Sequence, residues 1–229
     1  LMGDGSGSSI TGNLFLAQLD GAGTTRWARA FPGRAFVTQM VMDGAGAILL
    51  SGDFWGELGL DPSSPMKAQA RQGDGRDHFL AKLDATGRLR WARHLEAQQI
   101  AVSPDGSGEM FICPLSGSGP NEIRKIAADG RVLSKVALPA EGPSCGDLAA
   151  GAEGMLYVVG QVGDGAETVE SSTVAVAIGA DGKVVSRVVL PANEASEWSP
   201  RLLWSRGRLL AAGITGRYKD PSFYLAKLT

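Results

Sequence analysis

Proton transfer, metal binding and nucleophilic attack each need particular side chains within reach of one another, and this chain supplies few such groups. The only two histidines are His78 and His94. His78 precedes the Phe79 of one apolar run, and His94 ends another. Nothing in the sequence pairs them as a base and its partner, so we expect structural or surface roles for both. The stretch Asp74-Gly-Arg-Asp77-His78 has the residue types of a cation site, but Arg76 sits between the carboxylates and competes for them. The recurring Asp-Gly pairs each bring a single carboxylate, whereas calcium takes six to eight oxygens; Asp-Gly is also the preferred two-residue hairpin turn. We therefore expect turn residues there, with no metal and no cofactor. No Gly-x-Ser-x-Gly elbow, phosphate-binding loop or His-Glu-x-x-His pair occurs, and no catalytic residue is assigned.

Two cysteines, Cys113 and Cys145, are too few for a disulfide framework and wrongly spaced for zinc. They fall in neighbouring repeats, where either a disulfide in an oxidising compartment or two buried thiols would fit.

Binding chemistry is better represented than catalysis. The irregular segment 53–77 holds Trp55, Arg71, Asp74 and Arg76, and other irregular segments hold Trp198, Arg217 and Tyr218. Aromatic residues with arginine are the side chains that anchor interfaces. The plainer alternative is that Trp55 and Trp198 pack beneath their loops, as large aromatics usually do.

What must position these residues is a repeat. Asn13-Leu-Phe-Leu-Ala-Gln-Leu-Asp20 followed by Trp27-Ala-Arg29 aligns without a gap on Asp77-His-Phe-Leu-Ala-Lys-Leu-Asp84 followed by Trp91-Ala-Arg93, 64 residues on. Weaker copies run through Ile126-Ala-Ala-Asp-Gly130, Ile178-Gly-Ala-Asp-Gly182 and Phe223-Tyr-Leu-Ala-Lys-Leu228. Each is preceded by an apolar run, such as Ile48-Leu-Leu-Ser-Gly52 or Met155-Leu-Tyr-Val-Val-Gly160. Leu89, Ala92 and Leu95 recur at helical spacing, but the equivalent Lys183-Val-Val-Ser-Arg-Val-Val-Leu190 is dominated by β-branched residues, so the element is a strand. The second strand of each copy is apolar at consecutive positions, and both of its faces must be covered. That separates blades stacked about an axis from a sandwich, whose strands alternate.

The expected fold is therefore all-β: a β-propeller of four-stranded antiparallel blades, about five represented, three complete and two partial. The blades are placed at 1–36 (partial), 37–97, 98–144, 145–196 and 197–229 (partial), in a single domain that we expect to belong to a longer chain. Turns between strands 1 and 2, and between 3 and 4, share one end and are short: Asp20-Gly21, Asp43-Gly44, Ala85-Thr-Gly87, Asp105-Gly106, Asp129-Gly130 and Asp181-Gly182. Loops 53–77, 115–121, 161–172, 191–198 and 214–221 share the other end and are long, which makes it the expected binding face.

The segments Gly52-Asp-Phe54, Gly56 and Asp77 to Trp91 resemble the bacterial seven-bladed β-propeller repeat found in exported and lipoprotein-like proteins, notably of myxobacteria. The resemblance is close over 37–95 and the N-terminal copy and loose in the C-terminal half. It implies a propeller fold and an extracytoplasmic location (periplasmic, outer-membrane-associated or secreted), not a reaction. Leu83-Asp-Ala-Thr-Gly-Arg-Leu-Arg-Trp91 also resembles the tryptophan-docking turn of quinoprotein propellers. There the likeness stops: the cysteines are not adjacent, and Ser134 and Ser186 replace the tryptophan in later copies.

Composition bounds the rest. The chain has 229 residues and a formal charge of −2, so it carries no electrostatic footprint for nucleic acid or an anionic membrane. No run approaches the ~20 apolar residues of a membrane span. We expect a non-enzymatic exported binding or scaffold module that takes a protein or cell-surface ligand on its long-loop face. The alternative is a lectin-like propeller stacking glycans on Trp55, Trp198 and Tyr218. A propeller hydrolase or quinoprotein-like oxidoreductase comes third.

Overall fold

The computed structural model describes residues 13–61, 65–69, 75–97, 99–113, 122–138, 143–162, 172–190, 201–205, 207–217 and 220–228. They form two compact units, one within residues 1–42 and 46–97 and the other within 43–45 and 98–229.

The first unit holds β1 (Asn13–Leu19), β2 (Thr25–Met42), β3 (Ile48–Trp55), β4 (Glu57–Leu58), β5 (Met66–Lys67), β6 (Arg76–Leu83) and β7 (Leu89–Arg93). Five of these make an antiparallel sheet in the order β1-β2-β3-β6-β7, and β4 pairs with β5. The second unit holds three consecutive meanders. They are β8 (Gln99–Val102), β9 (Met110–Cys113), β10 (Glu122–Ile126) and β11 (Val132–Ala137); β12 (Asp147–Ala150), β13 (Leu156–Val162), β14 (Ser172–Ile178) and β15 (Val184–Val189); and β16 (Arg201–Ser205), β17 (Arg208–Arg217) and β18 (Asp220–Leu228). A single 3-10 turn, Ala152–Gly154, is the only helix among the described residues.

Burial explains the arrangement. In the sheet β12–β15 every residue of β12 is buried and every residue of β15 is exposed. The sheet β8–β11 shows the same gradient, from buried β8 and β9 to exposed β11. The first strands are also neighbours: β12 packs beside both β8 and β16. Inner strands side by side, with outer strands turned to water, are what radially stacked blades require. The fold is a partial β-propeller.

Each core is apolar. In the first unit Phe31, Leu50, Phe54, Leu58, Phe79 and Leu83 cluster, with the Phe54 and Phe79 rings edge to face at 6.3 Å. Burying such side chains contributes roughly 1.5–3 kcal/mol each. In the second unit Ile123, Leu148, Val158, Val174 and Val176 close around Cys113 and Cys145. These cysteines are joined by a disulfide that ties β9 to the segment entering β12, with a Cα–Cα distance of 6.3 Å.

Three expectations about elements need correction. The blade boundary expected between residues 36 and 37 falls inside one strand, β2, which pairs with β1 through its first half and with β3 through its second. Pro32-Gly33 does not turn the chain. It receives the segment after β3 instead: Gly59 N–H donates to Pro32 O at 2.7 Å, and a side chain on Gly33 (φ +131) would strike the Glu57 carbonyl. The expected loop at 214–221 is largely strand, since β17 runs to Arg217 and β18 starts at Asp220.

The third correction concerns the turns. Around Asp20 and Asp84 the glycine with positive φ is the fourth residue of the turn, Gly23 (φ 82) and Gly87 (φ 74), while Gly21 carries no such angle. Gly23 N–H donates to Asp20 O, and Asp20 N–H donates to Thr24 O. The pairing register shifts at Gln18/Leu19. This is a four-residue turn closed by a glycine bulge, not a two-residue Asp-Gly turn. The aspartate serves as an acceptor: Asp20 Oδ1 takes the Ala22 and Thr24 N–H groups, each at 2.9 Å. Asp84 does the same for Thr86 and Arg88. The Thr86 hydroxyl first, and the Arg88 N–H next, hold the Asp84 carboxyl down at about 2.

Candidate functional site

Two strands set the geometry of the long-loop end of the first unit. β3 ends and β6 begins there, and their register places Asp53 opposite His78, Phe54 opposite Asp77, and Trp55 opposite Arg76. Alternation then puts Asp53, Trp55, Arg76 and His78 on one face of the sheet and Phe54 and Asp77 on the other. On the first face the buried Asp53 carboxylate accepts from His78 Nδ1 at 2.5 Å, and Arg76 Nη1 approaches its other oxygen at 3.5 Å. On the second face Asp77, only 5% exposed, accepts from His94 Nδ1 at 2.9 Å, from Gln69 N–H at 2.9 Å and from His78 N–H at 2.8 Å. Burial pushes the Asp77 carboxyl up, but the two backbone N–H groups and His94 outweigh it, and the net shift is downward.

Each histidine is thus oriented by a buried carboxylate, which the sequence did not show. The signal was the register of β3 against β6 for His78 and of β6 against β7 for His94, which no spacing along the chain reveals. The two imidazoles serve different carboxylates on opposite faces of one sheet, so they do not form a shared acid–base pair. Among the described residues no group of three His, Cys, Asp or Glu side chains is placed to hold a metal.

Trp55, expected as a binding residue, closes β3 half-buried. The Arg34 guanidinium lies over its ring at 4.4 Å, and the Phe36 ring is 6.0 Å away. Such a cation–π contact contributes about 0.5–2 kcal/mol, depending on desolvation. Arg34 sits opposite Trp55 in the register, so Arg34, Trp55 and Arg76 form one rung where the chain leaves the sheet. The contact places one Trp55 face under a guanidinium. Arg71, Asp74, Trp198 and Tyr218 lie outside the described residues. Arg217 ends β17 opposite Asp220, in the second unit.

The second unit has its own polar cluster at the equivalent strand ends, also absent from the expectations. Gln99, Asp147 and Arg201 are the first residues of the inner strands β8, β12 and β16. Asp147 Oδ2 accepts from Leu202 N–H at 2.8 Å and Oδ1 from Leu148 N–H at 3.0 Å. Burial raises its carboxyl above the ordinary value, against the pull of those N–H groups and of Arg201. At the opposite, short-turn end of this unit a cleft of about 660 Å³ is lined by Tyr157, Ser186, Val188, Trp204 and Leu209. Tyr157 and Trp204 stack there at 5.4 Å.

No family model matches the sequence, and no curated protein matches it. Among solved structures, the chain is similar to a protein of unknown function from Bacteroides caccae, at 16% identity over 89% of this chain and 84% of that one, with a TM-score of 0.40. It is also similar to the Trypanosoma rangeli sialidase in complex with sialic acid, at 13% identity, with a TM-score of 0.39. That match covers 96% of this chain and 39% of the sialidase chain. At this depth neither likeness assigns an activity.

Proposed function

We propose that the protein is an exported, non-enzymatic propeller module that binds a protein partner through its long-loop end. The observation that carries this is the rung Arg34–Trp55–Arg76, a half-buried indole under the Arg34 guanidinium with a second arginine opposite it in the register, where the longest connection emerges. Arginine beside tryptophan offers a partner apolar area and hydrogen-bond donors together, the composition from which interface hot spots are made. The resemblance to bacterial exported seven-bladed repeats supports the compartment. So does the Cys113–Cys145 disulfide, because such bonds persist in oxidising surroundings. The glycan-stacking alternative draws less support, since Arg34 occupies one side of the Trp55 ring.

The test is saturable binding of the labelled chain to the surface of the producing cells, compared with Trp55→Ala and with Arg34→Ala. Both variants should melt within a few degrees of the parent and bind at least about tenfold more weakly, the loss of one anchor worth ~1.4 kcal/mol or more. Unchanged binding by both folded variants would remove the rim from the interface.

A further inference from the structure

We propose that a second copy of this chain docks on the exposed face of β1, seating its β16–β18 sheet there as β1 and β2 seat on β6 and β7 within one copy. The surface uses none of the residues of the Trp55 rim, and the inference stands without that rim.

The repeat supplies its own control. Its gapless alignment sets Phe15, Ala17 and Leu19 of β1 against Phe79, Ala81 and Leu83 of β6. In β6 all three are fully buried, yet Phe15 is 75% exposed and Leu19 56%. The register places Ala30 beside Phe15 and Ala28 beside Ala17, and these three alanines are exposed as well. Phe15, Ala17, Leu19, Ala28 and Ala30 thus make one apolar face open to water. Single exposed apolar side chains are ordinary, but a contiguous set marks an interaction surface.

What covers such a face is visible in the same unit. Phe79, Ala81 and Leu83 share one cluster with Leu16, which lies on the opposite face of β1, and Leu14 and Trp27 pack against that cluster. Trp27 Nε1 donates to Ala85 O at 3.2 Å and Arg29 Nε to Thr86 O at 3.1 Å, which fixes β2 over the turn between β6 and β7. The leucine face of one copy of the repeat therefore covers the phenylalanine face of the next.

The β16–β18 sheet presents a leucine face of the same kind. Phe223-Tyr-Leu-Ala-Lys-Leu228 places Leu225 at the repeat position of Leu16 and of the fully buried Leu80. Leu225 is 73% exposed. It stands opposite Ala212, on the face that also carries the exposed Leu203. Both exposed faces come from the repeat that pairs such faces within the first unit, so they complement each other between copies. The contact is heterologous: each copy offers a different surface to each neighbour, and association runs on into a ring or an open chain. A formal charge of −2 sets little repulsion against it.

Sedimentation velocity of the full chain, from micromolar to several hundred micromolar, should show a mass that rises beyond the monomer. Phe15→Glu and Leu225→Glu change exposed side chains and should melt with the parent. Each should weaken self-association by at least about tenfold, the loss of one buried apolar anchor. Mixing the two variants is the decisive arm. Phe15→Glu keeps its Leu225 face and Leu225→Glu keeps its Phe15 face, so together they should form a one-to-one pair that grows no further. A parent that stays monomeric throughout would overturn the proposal. So would a Leu225→Glu variant that associates as strongly as the parent, because β1 would then be pairing with β1, or a mixture no heavier than its parts. The Leu19 and Leu225 methyl resonances of the unaltered chain should shift together as concentration rises. Their staying still would overturn the proposal even where a variant fails to fold.

Discussion

At the scale of single residues, the two buried aspartates make opposite demands on pH. The folded Asp77 carboxyl lies below the ordinary aspartate value of about 3.9, because Gln69 and His78 donate to it and His94 stands beside it. A group depressed on folding contributes stability above its unfolded value and loses that contribution as pH falls through the folded one. Asp147, raised by burial, works the other way: its contribution is present below the unfolded value and is lost as pH rises through the raised one. Asp77→Asn cannot accept all three of its hydrogen bonds. It should cost about 1–3 kcal/mol at neutral pH, and the gap from the parent should narrow steadily as pH falls below about 5. Urea denaturation between neutral pH and pH 3 measures the gap. A gap that is constant over this range would mean the carboxylate charge contributes nothing and only its shape matters.

At the scale of elements, the repeat made strands and hairpins legible because each leaves a local trace. The run Ile48-Leu-Leu-Ser is buried at every position, as consecutive apolar residues in an inner strand demand. Partnerships at a distance leave no such trace. Gly33 serves the close approach of Glu57, which is 24 residues away and invisible to local pattern. The Asp53–His78 and Asp77–His94 pairs were hidden for the same reason: the first depends on the register of β3 against β6 and the second on that of β6 against β7. Trp27 shows the limit from the other side. Its repetition at Trp91 was plain, but only the structure shows why it is there: Trp27 Nε1 donates to Ala85 O at 3.2 Å, and its ring lies where a Gly87 side chain would stand. The turn correction can be tested directly. Gly21 has no positive φ and nothing within 4 Å of an added methyl, whereas Gly23 sits at φ +82. Gly21→Ala should be neutral or stabilise by up to ~1 kcal/mol, and Gly23→Ala should destabilise by about 1–2 kcal/mol. If instead Gly21→Ala were the damaging change, a two-residue Asp-Gly turn would be restored. Thermal melts of the two variants suffice.

At the scale of the molecule, stacked modules hold together through interfaces between neighbours, so a bond across one interface matters more than its position suggests. The disulfide joins β9 of one sheet to the entry of β12 in the next, across a sequence separation of 32 residues. It passes through the apolar cluster those sheets share: Cys113 is fully buried and Cys145 nearly so, among Ile123, Leu148 and Val158. Closing a loop of that length restricts the unfolded chain by roughly 3–4 kcal/mol in the chain-entropy account. Against the 5–15 kcal/mol total typical of folded proteins, this is a large share. Reduction should therefore lower the stability of the second unit by about that amount, with less change in the first, whose core cluster contains no cysteine. Hydrogen exchange with and without reductant distinguishes the two: amides of β8 to β15 should exchange faster after reduction, and those of β1 to β7 should change least. Equal acceleration in both units would mean that they unfold as one cooperative body, and the stability of each blade would then be set by the whole chain rather than by its neighbours.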